Sequence, residues 1–191
     1  MKLNIKILLV FSTFLIYFSS KIYAGEPPFL KFRSDPWVIE QLEKLTLEEK
    51  IAQLMMVTAY PKQDENSKAR IEELIRTYKP GGVLVMQGSP VKTASWINDF
   101  QKQSTLPLLI AIDGEWGPAM RIHSVMSFPY AQAVGAVKDS TFIYQMGHDI
   151  GSQLKLMGIH MNFAPDADIN TNPANPVINF RSYGEDKLNV A

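Results

Sequence analysis

Four short apolar runs alternate with segments of helical period along most of this chain, and that alternation restricts the fold more than any other feature. The runs are Met55 to Tyr60, Val83 to Met86, Leu108 to Ile112 and Ile159 to Phe163. Leu108 to Ile112 is apolar without a break, as expected of a strand covered on both faces in a parallel sheet. From Glu65 onward, Ile71, Leu74, Ile75 and Tyr78 fall on one helical face, and Pro80-Gly81-Gly82 ends that helix. Val91 to Gln103 is helical in period, with Trp96, Ile97 and Phe100 as its apolar face. A third helix, capped by Asp139 or Ser140, carries Phe142, Met146, Ile150 and Leu154 at every fourth position and ends at Gly158. Upstream, Thr46-Leu47-Glu48-Glu49 is a capping box, and Ile51, Leu54 and Met55 share a face of the helix it starts. Residues 113–138 are irregular, with Gly, Pro and Ser throughout.

Strand, helix, strand, helix, strand, loop, helix, strand predicts an α/β fold with a parallel sheet and helices outside it. No Gly-rich dinucleotide fingerprint follows the first strand, which disfavours a doubly wound nucleotide-binding sheet. The polar residues gather just past the third and fourth strands, where a (β/α)8 barrel builds its working face. A full barrel takes about 250 residues. The reading is therefore the first half of a (β/α)8 TIM-type barrel over residues 40–191, incomplete, behind an extended N-terminal arm at 25–39.

Composition excludes several functions. Nineteen basic residues balance nineteen acidic ones, so no basic stripe argues for nucleic acid. There is no cysteine, and three scattered histidines lack zinc spacing, so no metal site and no cofactor is expected. At the N-terminus, Lys2 and Lys6 precede an apolar core at Ile7 to Phe18 and then Ile22-Tyr23-Ala24. That core is short for a membrane span of roughly 20 residues. Residues 1–24 read as a signal peptide cleaved after Ala24, with a retained N-terminal anchor as the alternative; the first reading implies a periplasmic or extracellular protein, and no integral membrane partner is expected.

Two loops carry the candidate chemistry. Asp113 directly follows the third strand in IDGEWGPAMR, with Glu115, Trp116 and Arg121 in the same loop. A carboxylate at a strand end accepts strong hydrogen bonds from sugar hydroxyls, and an arginine beside two acids orients them or binds the ligand. The plain alternative is a loop salt bridge with no ligand. After the fourth strand, Asp166 and Asp168 are two residues apart, and the loop holds four asparagines and Arg181. The two acids suit loop capping better than a divalent metal, since no carboxylate cluster supports a hard cation. Arg181 is either a ligand residue or a surface partner of Glu185 or Asp186. His148 and His160 read as packing or surface residues.

The blocks LTLEEKIAQLMMV, KPGGVLVM, PLLIAIDGEWGPAMR, GIHMNFAPDADIN and NPVINFRSYGED occur in that order. Together they resemble the N-terminal barrel of glycoside hydrolase family 3. IDGEWGPAMR is similar to the Asp-x-Glu-Gly-Gly block of that family's β-N-acetylhexosaminidase branch, with Trp116 in place of the first glycine. By this resemblance Asp113, Arg121 and Arg181 bind the sugar, and Glu115 and Asp168 order the site. Asp166 stands where the family has an apolar residue and takes no role. The implied reaction is retaining hydrolysis that removes terminal β-N-acetylglucosamine-type residues, through a nucleophile and an acid/base group. The blocks that carry those two groups are expected beyond Ala191, so a truncated, inactive chain is expected, with a possible further C-terminal domain in the full-length protein. The alternatives are a β-glucosidase of the same family and a non-catalytic sugar-binding remnant.

Overall fold

The computed structural model describes residues 27–191 and divides the chain at Lys44 into two units. The proposed signal peptide lies outside the described residues. The first unit contributes a 3-10 turn at Pro28–Phe32 and helix α1 at Pro36–Lys44. The expected extended arm is thus largely helical. Pro36 sits at the start of α1, where a missing N–H loses nothing and the fixed φ favours the helix.

The second unit opens with the capping box. Glu49 N–H donates to Thr46 Oγ1 at 3.2 Å, and Thr46 N–H donates to Glu49 Oε2 at 3.0 Å. This starts helix α2 at Leu47–Ala52. Strand β1 (Met56–Ala59), helix α3 (Glu65–Tyr78), β2 (Gly82–Val85), α4 (Pro90–Gln103) and β3 (Leu109–Ile112) then alternate. Helices α5 (Ala131–Gly135) and α6 (Ser140–Leu156) precede β4 (Met161–Asn162), and α7 (Lys187–Val190) closes the chain. The sheet order is β1-β2-β3-β4 and every pair is parallel. This is the succession of strands and crossover helices found in the first half of a (β/α)8 barrel.

The strands agree with the apolar runs to within a residue at β2 and β3, because burial on both faces demands continuous apolarity. Val83, Val85, Ile110 and Ile112 are almost fully buried, against Ile75 of α3 and Trp96, Ile97 and Phe100 of α4. Helix α3 ends on Lys79, whose left-handed φ of 53° lets its N–H reach Ile75 O at 3.1 Å. The following Gly81 is needed for close approach, since a Cβ there would lie 2.0 Å from Gln53 O.

β4 is shorter than the run Ile159 to Phe163. The N–H of Ile110 donates to the Nδ1 of exposed His160 at 3.0 Å, so the ladder with β3 begins only at Met161. Backbone bonds from His160 N to Ile110 O and from Phe163 N to Ile112 O still hold the whole run against β3. No described helix is long and apolar enough to cross a membrane.

Candidate carbohydrate site

The site grows out of the C-terminal ends of β3 and β4. Asp113 leaves β3 half-buried, and the chain turns back through a 3-10 turn at Pro118–Met120. Gly117 makes that turn possible. Its φ is 89°, and a Cβ there would lie 2.7 Å from Phe128 Cδ2. Arg121 follows, held from behind by fully buried Ile122. A short parallel bridge joins Ile122 to Gly88, with Gly88 N–H on Arg121 O at 3.1 Å and His123 N–H on Gly88 O at 3.0 Å. So held, Arg121 Nε donates to Asp113 O at 2.8 Å and Arg121 Nη2 pairs with Asp113 Oδ2. Among the described residues, Asp113 Oδ1 takes no hydrogen bond from the protein.

The second loop docks on the first through Arg181. Its Nε donates to Glu115 Oε2 at 2.8 Å and its Nη2 to Glu115 Oε1 at 2.6 Å, a bidentate fork. The same Nη2 lies 3.1 Å from Asp166 Oδ2. Neither Glu185 nor Asp186, the local partners considered from the sequence, pairs with Arg181. Its partner Glu115 is 66 residues away. The fork and the surrounding acids hold the Arg181 guanidinium above its ordinary value, chiefly through the Glu115 hydrogen bonds.

Asp166, which the sequence left without a role, is the more protected of the two neighbouring acids. Its side chain is 10% exposed, and its Oδ1 accepts the Asp168 amide at 3.0 Å. This is the loop-capping arrangement. Burial pushes the Asp166 carboxyl up, but the Asp168 hydrogen bonds and the Arg181 charge outweigh it and leave the carboxyl below the usual aspartate range. Asp168 moves the opposite way. A hydrogen bond shared with Asp166 and repulsion from its charge raise the Asp168 carboxyl. Burial raises the Tyr183 hydroxyl, helped by the charges of Glu115 and Asp166.

Two further residues escaped sequence reasoning. Asn162 of β4 bonds Gly114 twice, accepting its N–H at 2.9 Å and donating to its carbonyl at 3.0 Å. This clamps the Asp113 loop to β4. Its one signal is an amide inside an apolar run. Ser182 is fully buried, and its hydroxyl donates to Asp168 O at 2.6 Å. Nothing in the sequence separates it from any loop serine.

The fold and site together define a partial α/β barrel with a wall of ion-paired acids and arginines past its strand ends. The chain belongs to glycosyl hydrolase family 3, whose N-terminal domain model matches residues 46–191. It is 37% identical over 128 residues to beta-hexosaminidase A of Pseudoalteromonas piscicida, covering 60% of this chain and 21% of that protein. It is 27% identical to a beta-N-acetylglucosaminidase/beta-glucosidase of Cellulomonas fimi, covering 81% of this chain and 27% of that one. Among solved structures, a family 3 beta-N-acetylglucosaminidase from Paenibacillus sp. str. FPU-7 superposes with a TM-score of 0.68 at 36% identity. That alignment covers 76% of this chain and 29% of the other. The chain thus spans well under half the length of these relatives.

Proposed function

We propose that this chain carries the sugar-binding wall of a retaining glycosidase that removes terminal β-N-acetylglucosamine-type residues from oligosaccharides such as chitin or cell-wall fragments. One observation carries the reading. The Asp113-x-Glu115 pair stands at the end of β3 with each acid locked by its own arginine, Arg121 and Arg181. Acids held this way present fixed acceptors to sugar hydroxyls with little reordering on binding. The arginines are already neutralised by Asp113, Glu115 and Asp166, so the wall favours a neutral sugar over an anionic one. In this reading Asp113, Arg121 and Arg181 contact the sugar, while Glu115 and Asp168 order the wall. The nucleophile and the acid/base are supplied by polypeptide outside residues 1–191. The signal-like residues 1–24 support export to the periplasm or the cell exterior.

A second reading, hydrolysis of β-glucosides, is favoured by the double name of the Cellulomonas relative. Aryl β-N-acetylglucosaminide and aryl β-glucoside substrates separate the two in a longer protein that includes this wall. The N-acetylglucosaminide is expected to react at least tenfold faster, tenfold being about 1.4 kcal/mol of discrimination. Equal rates contradict the N-acetyl preference. Turnover by residues 1–191 alone that disappears in Asp113→Ala contradicts the placement of the chemistry outside them.

A further inference from the structure

Arg121 is held from a strand that contributes no side chain to the wall. Gly88 lies just past the end of β2, directly before Ser89, the cap of helix α4. Its two backbone bonds to the β3 loop straddle Arg121. Gly88 N–H donates to Arg121 O, and Gly88 O accepts the His123 N–H. The loops behind Gly88 are laced together as well. Lys62 N–H donates to Gln87 O at 2.9 Å, and Lys92 Nζ of α4 donates to Gln63 O at 2.6 Å. Gly88 is thus the joint at which the loops after β1 and β2 grip the loop that carries Arg121.

No side chain fits at this joint. A Cβ on Gly88 would lie 2.7 Å from Thr93 Oγ1 and 2.9 Å from Pro61 Cβ. Both neighbours are fully buried. Thr93 is fixed at the start of α4, and the ring of Pro61 is too rigid to turn aside. The backbone of Gly88 itself would therefore have to move. Gly88 does not sit in the left-handed region, so the demand is for space and not for conformational freedom. What its backbone holds is exacting. Arg121 reaches Asp113 at two points, with Nε on the carbonyl and Nη2 on the carboxylate. A planar guanidinium meets two such acceptors only from a narrow range of backbone positions.

We propose that Gly88 is a positioning residue for the Arg121–Asp113 pair. By lacking a side chain it lets the β1 and β2 loops set where the arginine grips the acid, and through that grip it sets how well the pair binds a sugar. Gly88 acts through Arg121 and not on the sugar. The link to sugar rests on the glycosidase reading of the wall.

The test compares the native chain with Gly88→Ala. Gly147→Ala is the control, since a Cβ on Gly147 meets nothing within 4 Å. By NMR, the Arg121 Nε–H, bonded to Asp113 O in the native chain, is expected to exchange with solvent roughly tenfold faster in Gly88→Ala and at the native rate in the control. By calorimetric titration, Gly88→Ala is expected to bind N-acetylglucosamine roughly fivefold more weakly. In an Arg121→Ala background the same change is expected to alter affinity by less than about twofold, as for two residues that act through one contact. An unchanged Arg121 Nε–H in folded Gly88→Ala overturns the positioning role. Losses that add in the double variant also overturn it, because Gly88 then acts elsewhere. If the Nε–H responds as expected and the native chain binds no N-acetylglucosamine, the glycosidase reading fails and Gly88's part in sugar binding fails with it. Should Gly88→Ala fail to fold by circular dichroism, Gly88→Ala combined with Thr93→Ala, which removes the nearer contact, decides by the same criteria.

Discussion

Arg181 shows how a single residue can organise the site. It faces Glu115 and Asp166, whose side chains are only 8% and 10% exposed. Removing the guanidinium leaves two carboxylates poorly hydrated and close together. Arg181→Ala is expected to lower the unfolding free energy by about 3 kcal/mol, read from the urea midpoint. Arg181→Lys recovers only part of it, because an ammonium cannot reproduce the two-pronged fork. A loss below about 0.5 kcal/mol, the range of an exposed pair, contradicts the account. Asp166 and Asp168 make a second case, with opposite signs. Asp166 titrates below 3.8, so the stability it confers is present above that value and is lost as pH falls through its folded value. Asp168 titrates above 3.8, so its contribution is complete below that value and is lost as pH rises through its folded value. At neutral pH, Asp166→Asn should therefore destabilise the protein and Asp168→Asn should stabilise it, and both effects should fade in acid below 3.8. Urea midpoints at the two pH values check this, and changes of the same sign at neutral pH would sink it. The sequence pointed to Arg181 but not to its partner. Spacing reveals pairs a few residues apart, and a fork bridging 66 residues exists only once β3 and β4 are adjacent.

At the scale of elements, legibility followed periodicity. Helices α3, α4 and α6, of 14, 14 and 17 residues, are long enough to show their period, and each was readable to within a residue or so. α5 has five residues, less than two turns, and hides inside a stretch that reads as irregular. It matters all the same, because it packs against the Arg181 loop. A Cβ on Gly135 would lie 1.8 Å from Tyr183 O. Gly135→Ala is therefore expected to push the Tyr183 segment away and disturb Phe180 and Arg181 with it. The check is a set of amide shifts concentrated in residues 179–186, with the α3 and α4 amides unmoved. Shifts spread evenly over the chain contradict so local an effect. The capping box was legible outright, and Thr46→Ala should cost about 1 kcal/mol at the start of α2. α1 is not legible in the sequence, because prolines at 27, 28 and 36 suit an extended segment and Pro36 suits a helix start equally well.

On the scale of the whole molecule, two features point to the same function. The parallel sheet places the ends of β3 and β4 side by side, and the loops beyond them meet through Arg181–Glu115 and Asn162–Gly114. Family 3 membership gives that meeting a chemical meaning. The barrel was legible because continuous apolar strands and crossover helices leave few alternatives. A sugar-binding role for the acid-arginine wall follows only from the resemblance, because residue types alone leave a loop salt bridge as plausible as a ligand site. The claim that joins the two is that Asp113 receives sugar hydroxyls, and it is tested most directly by titrating N-acetylglucosamine into the native chain and into Asp113→Asn. The account predicts binding by the native chain and a loss of roughly tenfold or more in the variant, as expected for hydrogen bonds to a charged acceptor worth about 1.5–3 kcal/mol, with the fold retained. Unchanged affinity in the folded variant would contradict it.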